Sequence, residues 1–394
     1  MTKDGTRARP RLGPRLGPRQ GAETETETET KPKPKPKTSP GPITITVMIL
    51  RFLAALALGA AGGALFWAVG APLPWVLGAM IACAAGSIAR LPIAASSATR
   101  RPMSAVIGVV LGSAFHPGLL AQAAEWIVPI ALLPLFLASA AFLCVIYFRR
   151  VARFDPPTAY FAGMPGGIAE MVLMGSERGA DERMVGLIHG ARIFLVVFIL
   201  PFLIRAFEAD VHAPPFVTAL AAPVTTEATG WPLLFWGLGC AVVGSLLGRT
   251  LRLPAWHLMG PLFVSALVHL TGLSDFHIPA WAVAAAQVGL GATIGCRFVG
   301  LDLATLARTL LLAAGSTAIL LVITFGWAFA IGWATGLNPA LVALAYSPGG
   351  VAEMSMVALS LSLEAGFVIV HHLVRVMLVI VGAPLSFRIM GAPR

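Results

Sequence analysis

Six side chains and two backbone breaks carry the chemistry available to this sequence. The segment Pro165-Gly166-Gly167-Ile168-Ala169-Glu170-Met171 recurs as Pro348-Gly349-Gly350-Val351-Ala352-Glu353-Met354, 183 positions later. The same offset carries His189 and Arg192 onto His372 and Arg375. Each copy therefore offers a carboxylate beside a helix breaker, then a histidine and an arginine three residues apart on one helix face. All lie in apolar surroundings, where an ionisable side chain is expensive and marks a functional site by default. Proline removes a backbone donor, and each adjacent glycine lowers helix stability by roughly 1 kcal/mol relative to alanine, so an interrupted helix is expected at both places. If a helix restarts after the glycines, Glu170 and Glu353 fall in its first turn, where free N–H groups and a partial positive charge favour an anion. These carboxylates can ligate a cation, carry a coupling proton or cap their own helix. Glu170 with Arg192 and Glu353 with Arg375 are the obvious pairings within each half. A buried ion pair that only fixes packing is the plainer alternative.

Such groups need elements that cross a bilayer to position them. Hydrophobic residues make up 57% of the 394-residue chain and charged residues 12%, with a mean hydropathy of +0.83. That composition excludes an ordinary soluble domain. Stretches long enough to cross, about 20 apolar residues, are expected near 45–70, 74–89, 103–121, 126–148 and 185–206. A second set follows near 230–248, 255–273, 279–298, 310–335 and 365–387. The Pro-Gly-Gly regions, 158–180 and 341–361, precede the last span of each set. No alternation of the β-barrel kind is visible.

The arginines set the orientation, because cytoplasmic loops carry the Lys/Arg excess. In the first set, the turns holding Arg90, Arg100 and Arg101, and then Arg149, Arg150 and Arg153, read as inside. In the second set the basic turns, with Arg249 and Arg252 and then Arg308 near Arg297, fall where the first set is poor in charge. The expected fold is an all-α polytopic membrane protein. It has two inverted-topology repeats of about five crossings each, plus a Pro-Gly-Gly broken or re-entrant helix, giving roughly 10–12 membrane segments. The expected divisions are a disordered cytoplasmic tail at 1–42, repeat 1 at 43–206, a linker at 207–229 and repeat 2 at 230–390.

Of the net charge of +10, half resides in residues 1–42, with ten Lys or Arg against five acids. The tail's Glu-Thr and Lys-Pro repeats suit a solvated leader, so no nucleic-acid partner is expected. Cys83, Cys144, Cys240 and Cys296 show no paired spacing and read as small buried hydrophobes. The eight histidines form no His-Glu-x-x-His set, and no phosphate loop or dinucleotide fingerprint is present. Neither an enzyme nor a resident metal or cofactor is expected.

The doubled Pro-Gly-Gly-x-Ala-Glu-Met motif, followed in each half by the His-x-x-Arg span, resembles the membrane AbrB-type family of bacteria, with its internal duplication. The resemblance covers about residues 45–390. It implies a likeness to inverted-repeat transporters of the bile-acid symporter and cation/proton antiporter kind. Members carry labels such as ammonia monooxygenase or regulator of gene expression, and the metal chemistry of the first finds no ligand set here. The second copy departs from the first at Ser347, in place of Met164, and at His371, in place of Ile188. The expected function is secondary transport of a small, anionic or other, solute coupled to H⁺ or Na⁺ in the bacterial inner membrane. A membrane sensor acting through residues 1–42 is the alternative, and a homodimer suits either. The substrate-binding or ion-binding residues would be Pro165, Gly166, Gly167, Glu170, His189 and Arg192, with Pro348, Gly349, Gly350, Glu353, His372 and Arg375.

Overall fold

The computed structural model describes residues 42–95, 97–207 and 231–389. The tail expected at 1–42 and the linker expected at 207–229 lie, but for Pro42 and Phe207, outside the described residues. Among the described residues the regular structure is entirely helical. The first half holds α1 (Pro42–Ala68), α2 (Pro74–Ile88), α3 (Ser97–Gly112), α4 (Ile127–Arg150), α5 (Pro156–Gly163), α6 (Ile168–Ser176) and α7 (Glu182–Phe207). The second holds α8 (Trp231–Thr250), α9 (Trp256–Leu270), α10 (Ala280–Gly295), α11 (Leu303–Thr335), α12 (Pro339–Tyr346), α13 (Val351–Ser360) and α14 (Ala365–Ile389). Two short helical turns, Leu119–Gln122 and Ala123–Trp126, lead into α4.

Among the described residues five helices are long and apolar enough to cross a membrane: Thr46–Ala68, Ala123–Arg150, Glu182–Phe207, Leu303–Thr335 and Ala365–Ile389. With the shorter apolar helices between them, the chain is a multi-pass membrane protein. The expected spans are corrected in length: α2, α3, α9 and α10 run only 15 or 16 residues, short of the about 20 that a crossing needs, and α3 and α11 start ahead of their apolar stretches. Helix α3 begins six residues ahead of its apolar stretch, so Arg100 and Arg101 stand in helix and not in a loop. Helix α11 begins at Leu303 because the Asp302 carboxylate accepts the Thr305 N–H at 2.8 Å, and it stops at Gly336, in the left-handed region at φ 77°.

The helices sort into two bundles. In the first, α2 packs on α10 and α3 on α9, so each half supplies the neighbour of the other. Two small apolar clusters show the same exchange. One joins Ala55, Cys83, Ala292 and Cys296, and the other joins Val109, Cys240, Val268 and Phe276. The second bundle gathers α4 to α7 with α11 to α14, around a buried core that includes Phe136, Phe161, Tyr346 and Phe367. Contacts between the bundles are sparse and run from α2, α3 and α10 to α7, α13 and α14.

Within the first bundle, each half closes a helix pair through bare backbone. A Cβ on Gly78 would strike the Gly62 carbonyl, and one on Gly260 would strike the Gly244 carbonyl. Small residues let helices approach this closely where the lipid offers no hydrophobic drive for association. Leu73 and Ala255, just ahead of α2 and α9, share a left-handed backbone at φ 46° and 43°. We expect Gly78→Leu to lower the thermal unfolding midpoint in detergent, with a cost of about 1–3 kcal/mol or more. An unchanged midpoint would refute the backbone contact.

Candidate functional site

Both Pro-Gly-Gly segments break a helix in the same way. Helix α5 opens with Asp155, whose carboxylate accepts the Thr158 N–H at 3.1 Å, and with Pro156 in the first turn. It ends at Gly163, the chain runs extended through Met164, and α6 restarts at Ile168 behind Gly167. Helix α12 opens with the Asn338 amide oxygen accepting the Ala340 N–H at 2.7 Å, and with Pro339. It ends at Tyr346, and α13 restarts at Val351 behind Gly350. Proline at the first turn and an extended glycine at the cap are what the sequence dictates locally.

The carbonyls freed at each break go to the long helix that follows. Arg192 of α7 donates from Nη2 to the Met164 carbonyl at 3.2 Å. Arg375 of α14 donates to the carbonyls of Ser347 and Gly349, the latter at 2.7 Å. Just before the second break, His372 Nε2 meets the Leu344 carbonyl at 3.1 Å. The first copy is less completely served. Arg192, only 1% exposed, keeps Nε and Nη1 without a partner, and so does Nε2 of the fully buried His189. Helix α7 satisfies the other nitrogen of His189 itself, Nδ1 meeting the Val185 carbonyl at 3.0 Å.

The carboxylates lie on the other side of each break. A Cβ added to Gly167 would collide with Oε2 of Glu170, and one on Gly350 with Oε2 of Glu353. Each glutamate thus folds back over the glycine that caps its own helix, three residues behind it. Only a residue without a side chain leaves that room. The Glu170–Arg192 and Glu353–Arg375 pairings expected from the sequence do not form among the described residues. Glu353 pairs instead with Arg100 of α3, Nη2 to Oε1, at 3.4 Å. The reason is the break itself: arginine caps the carbonyl end of one half-helix, and glutamate the amide end of the next.

The two copies differ in enclosure. Pro348 and Gly349 are buried and Glu353 is 5% exposed, whereas Gly166, Gly167 and Glu170 are half-buried. His371, which has no counterpart in the first half, is fully buried, its ring tilted against Phe367 with 3.9 Å between centroids. Asp181 caps α7 by accepting the Met184 N–H at 3.0 Å, as a helix start requires. Its counterpart Glu364 faces the Gln122 amide instead, and burial raises its carboxyl above the ordinary value. An apolar groove of about 570 Å³ between α9 and α14, lined by Met259, Phe263 and Met377, holds no ionisable side chain. Sequence reasoning missed Arg100 and Arg297, both taken for basic turns. The available signal was that Arg297 falls just inside an expected span, after Gly295. Among the described residues no cluster of three or more metal-ligating side chains forms.

Arg375 satisfies two carbonyls and Arg192 one, so their removal should not cost the same. A hydrogen bond to a charged group is worth about 1.5–3 kcal/mol. We expect Arg375→Gln to lower the unfolding midpoint about twice as far as Arg192→Gln, read by thermal unfolding of both variants in one detergent. Equal losses would contradict the assignment.

This architecture has relatives. A Bacillus subtilis (strain 168) protein named "Uncharacterized protein YhjN" is 27% identical over 365 residues, 87% of this chain and 94% of the relative. An Escherichia coli (strain K12) protein named "Putative regulator AbrB" is 25% identical over 321 residues, 81% of this chain and 90% of the relative. The family model described as "Transition state regulatory protein AbrB" matches residues 75–391, which takes in both breaks and both arginine helices. The chain belongs to the AbrB family.

Proposed function

We propose that this protein is a secondary transporter of a small solute, coupled to H⁺ or Na⁺ and working by alternating access. The observation that carries this reading is the pair of broken helices. Half-helix ends at membrane depth are tolerated only where they are buried in protein or line a wet cavity. Transporters use such ends to hold solute and coupling ion between repeats. Here the amide ends carry Glu170 and Glu353, and the carbonyl ends carry Arg192 and Arg375. The bundle that holds both breaks touches its neighbour sparsely, which suits one bundle moving against the other. On this reading the chain resides in the bacterial inner membrane with both termini cytoplasmic. It performs no covalent chemistry and takes no cofactor beyond the coupling ion.

A regulatory reading rests on the printed name of the Escherichia coli relative. It would make residues 1–42 essential, whereas transport should survive their removal. The deciding experiment is a solute-uptake screen in liposomes, comparing wild type with the Glu170→Gln/Glu353→Gln double variant at several pH values and Na⁺ concentrations. We expect the variant to stay monodisperse and to lose at least about tenfold in coupled flux. Flux indifferent to both carboxylates would leave them as packing groups and overturn the coupling role.

A further inference from the structure

The charges at the bundle interface do not balance. Arg100 heads α3, and Arg297 closes the short turn after α10, so both belong to the first bundle. Glu353, in the first turn of α13, belongs to the second. The Arg297 guanidinium reaches α7 beside His189, since a Cβ on Gly190 would sit 3.5 Å from its Cδ and Nη1. It also lies within electrostatic range of Arg100, Glu353 and His189. Yet among the described residues Glu353 pairs only with Arg100, through one contact at 3.4 Å. Among the described residues Arg297 makes no ion pair, and the buried Nε of Arg100 has no partner. Two guanidiniums thus converge on one carboxylate.

Half-buried arginines whose forked donors outnumber the acceptors around them are how proteins recognise carboxylate and phosphate groups. We propose that Arg297 and Arg100 form the binding site for a small oxyanion, a carboxylate or a phosphate, at the bundle interface, with Glu353 as the resident anion that the ligand displaces. This deepens the transport reading and rests on it for the ligand's passage, but the site itself can be tested alone. The repeat supplies no second copy, because the positions matching Arg297 and Arg100 in the other half, Ala114 and Val283, are uncharged. The site is therefore single and lies on one side of the second break.

The test is thermal unfolding of the full-length protein in detergent, titrated with succinate, with inorganic phosphate, and with sodium chloride at matched ionic strength. Wild type should be stabilised by succinate or phosphate beyond the chloride control, and the preferred anion identifies the class. Arg297→Gln should abolish that stabilisation and Arg297→Lys should keep part of it. Glu353→Gln, which removes the competing carboxylate, should tighten half-saturation by about tenfold. An equal anion response in wild type and Arg297→Gln, or no response beyond chloride in wild type, overturns the site. Anion binding without liposome flux would keep the site and sink the transport reading. Flux of a neutral solute that ignores Arg297→Gln would do the reverse.

Discussion

Everything in this molecule depends on finding donors for backbone carbonyls exposed inside a membrane. A peptide group left unpaired in an apolar medium costs several kcal/mol, and two helices here stop short and expose theirs. The remedy is a guanidinium on the next long helix, 28 residues beyond the carbonyl in both halves: Met164 to Arg192, and Ser347 to Arg375. That remedy permits the breaks, and the breaks create the half-helix ends. The same geometry decides where the glutamates go. A helix terminus has a sign, so the carbonyl side attracts arginine and the amide side attracts glutamate. The charges of each half are thereby held apart.

The duplication is faithful where the backbone needs it and loose elsewhere. Glycine contacts, strained turns ahead of α2 and α9, glutamates folded over glycines, and arginines on carbonyls all occur twice. Enclosure does not, and neither does the pair of arginines facing Glu353. Two copies of one chain design have kept their scaffold in common and diverged at the surface between the bundles. Sameness there would give both faces of the protein the same task.

Much of this was legible before any coordinates. The doubled motif and the helix restarts after Gly167 and Gly350 follow from residue type and spacing, whereas of the ten spans expected only five are long and apolar enough to cross among the described residues. Proline and adjacent glycines act within a few residues, so their effect can be read locally. The glutamate–arginine pairings could not be read, because helical spacing gives a shared face and says nothing about which end of a broken helix that face meets. Arg100 and Arg297 were misplaced for a related reason. An arginine at the edge of an apolar stretch suits a loop as well as a helix end, and only the packing of α3, α10 and α13 decides. The Gly62–Gly78 and Gly244–Gly260 contacts were hidden by abundance, since 41 glycines offer no hint of which two meet.

The unequal enclosure of the two breaks bears on how the protein feels voltage. The first break is the more exposed of the two. Were solution to reach that break and not the other, the electric field across the bilayer would fall mainly at the more enclosed one. A charge that crosses the full membrane potential exchanges about 2.3 kcal/mol per elementary charge for each 100 mV, over whatever distance the drop occupies. Arg192 and Arg375, which lie within electrostatic range of each other, would then stand beside that drop. Their carbonyl contacts would keep this charge fixed while a mobile ion responded to the voltage.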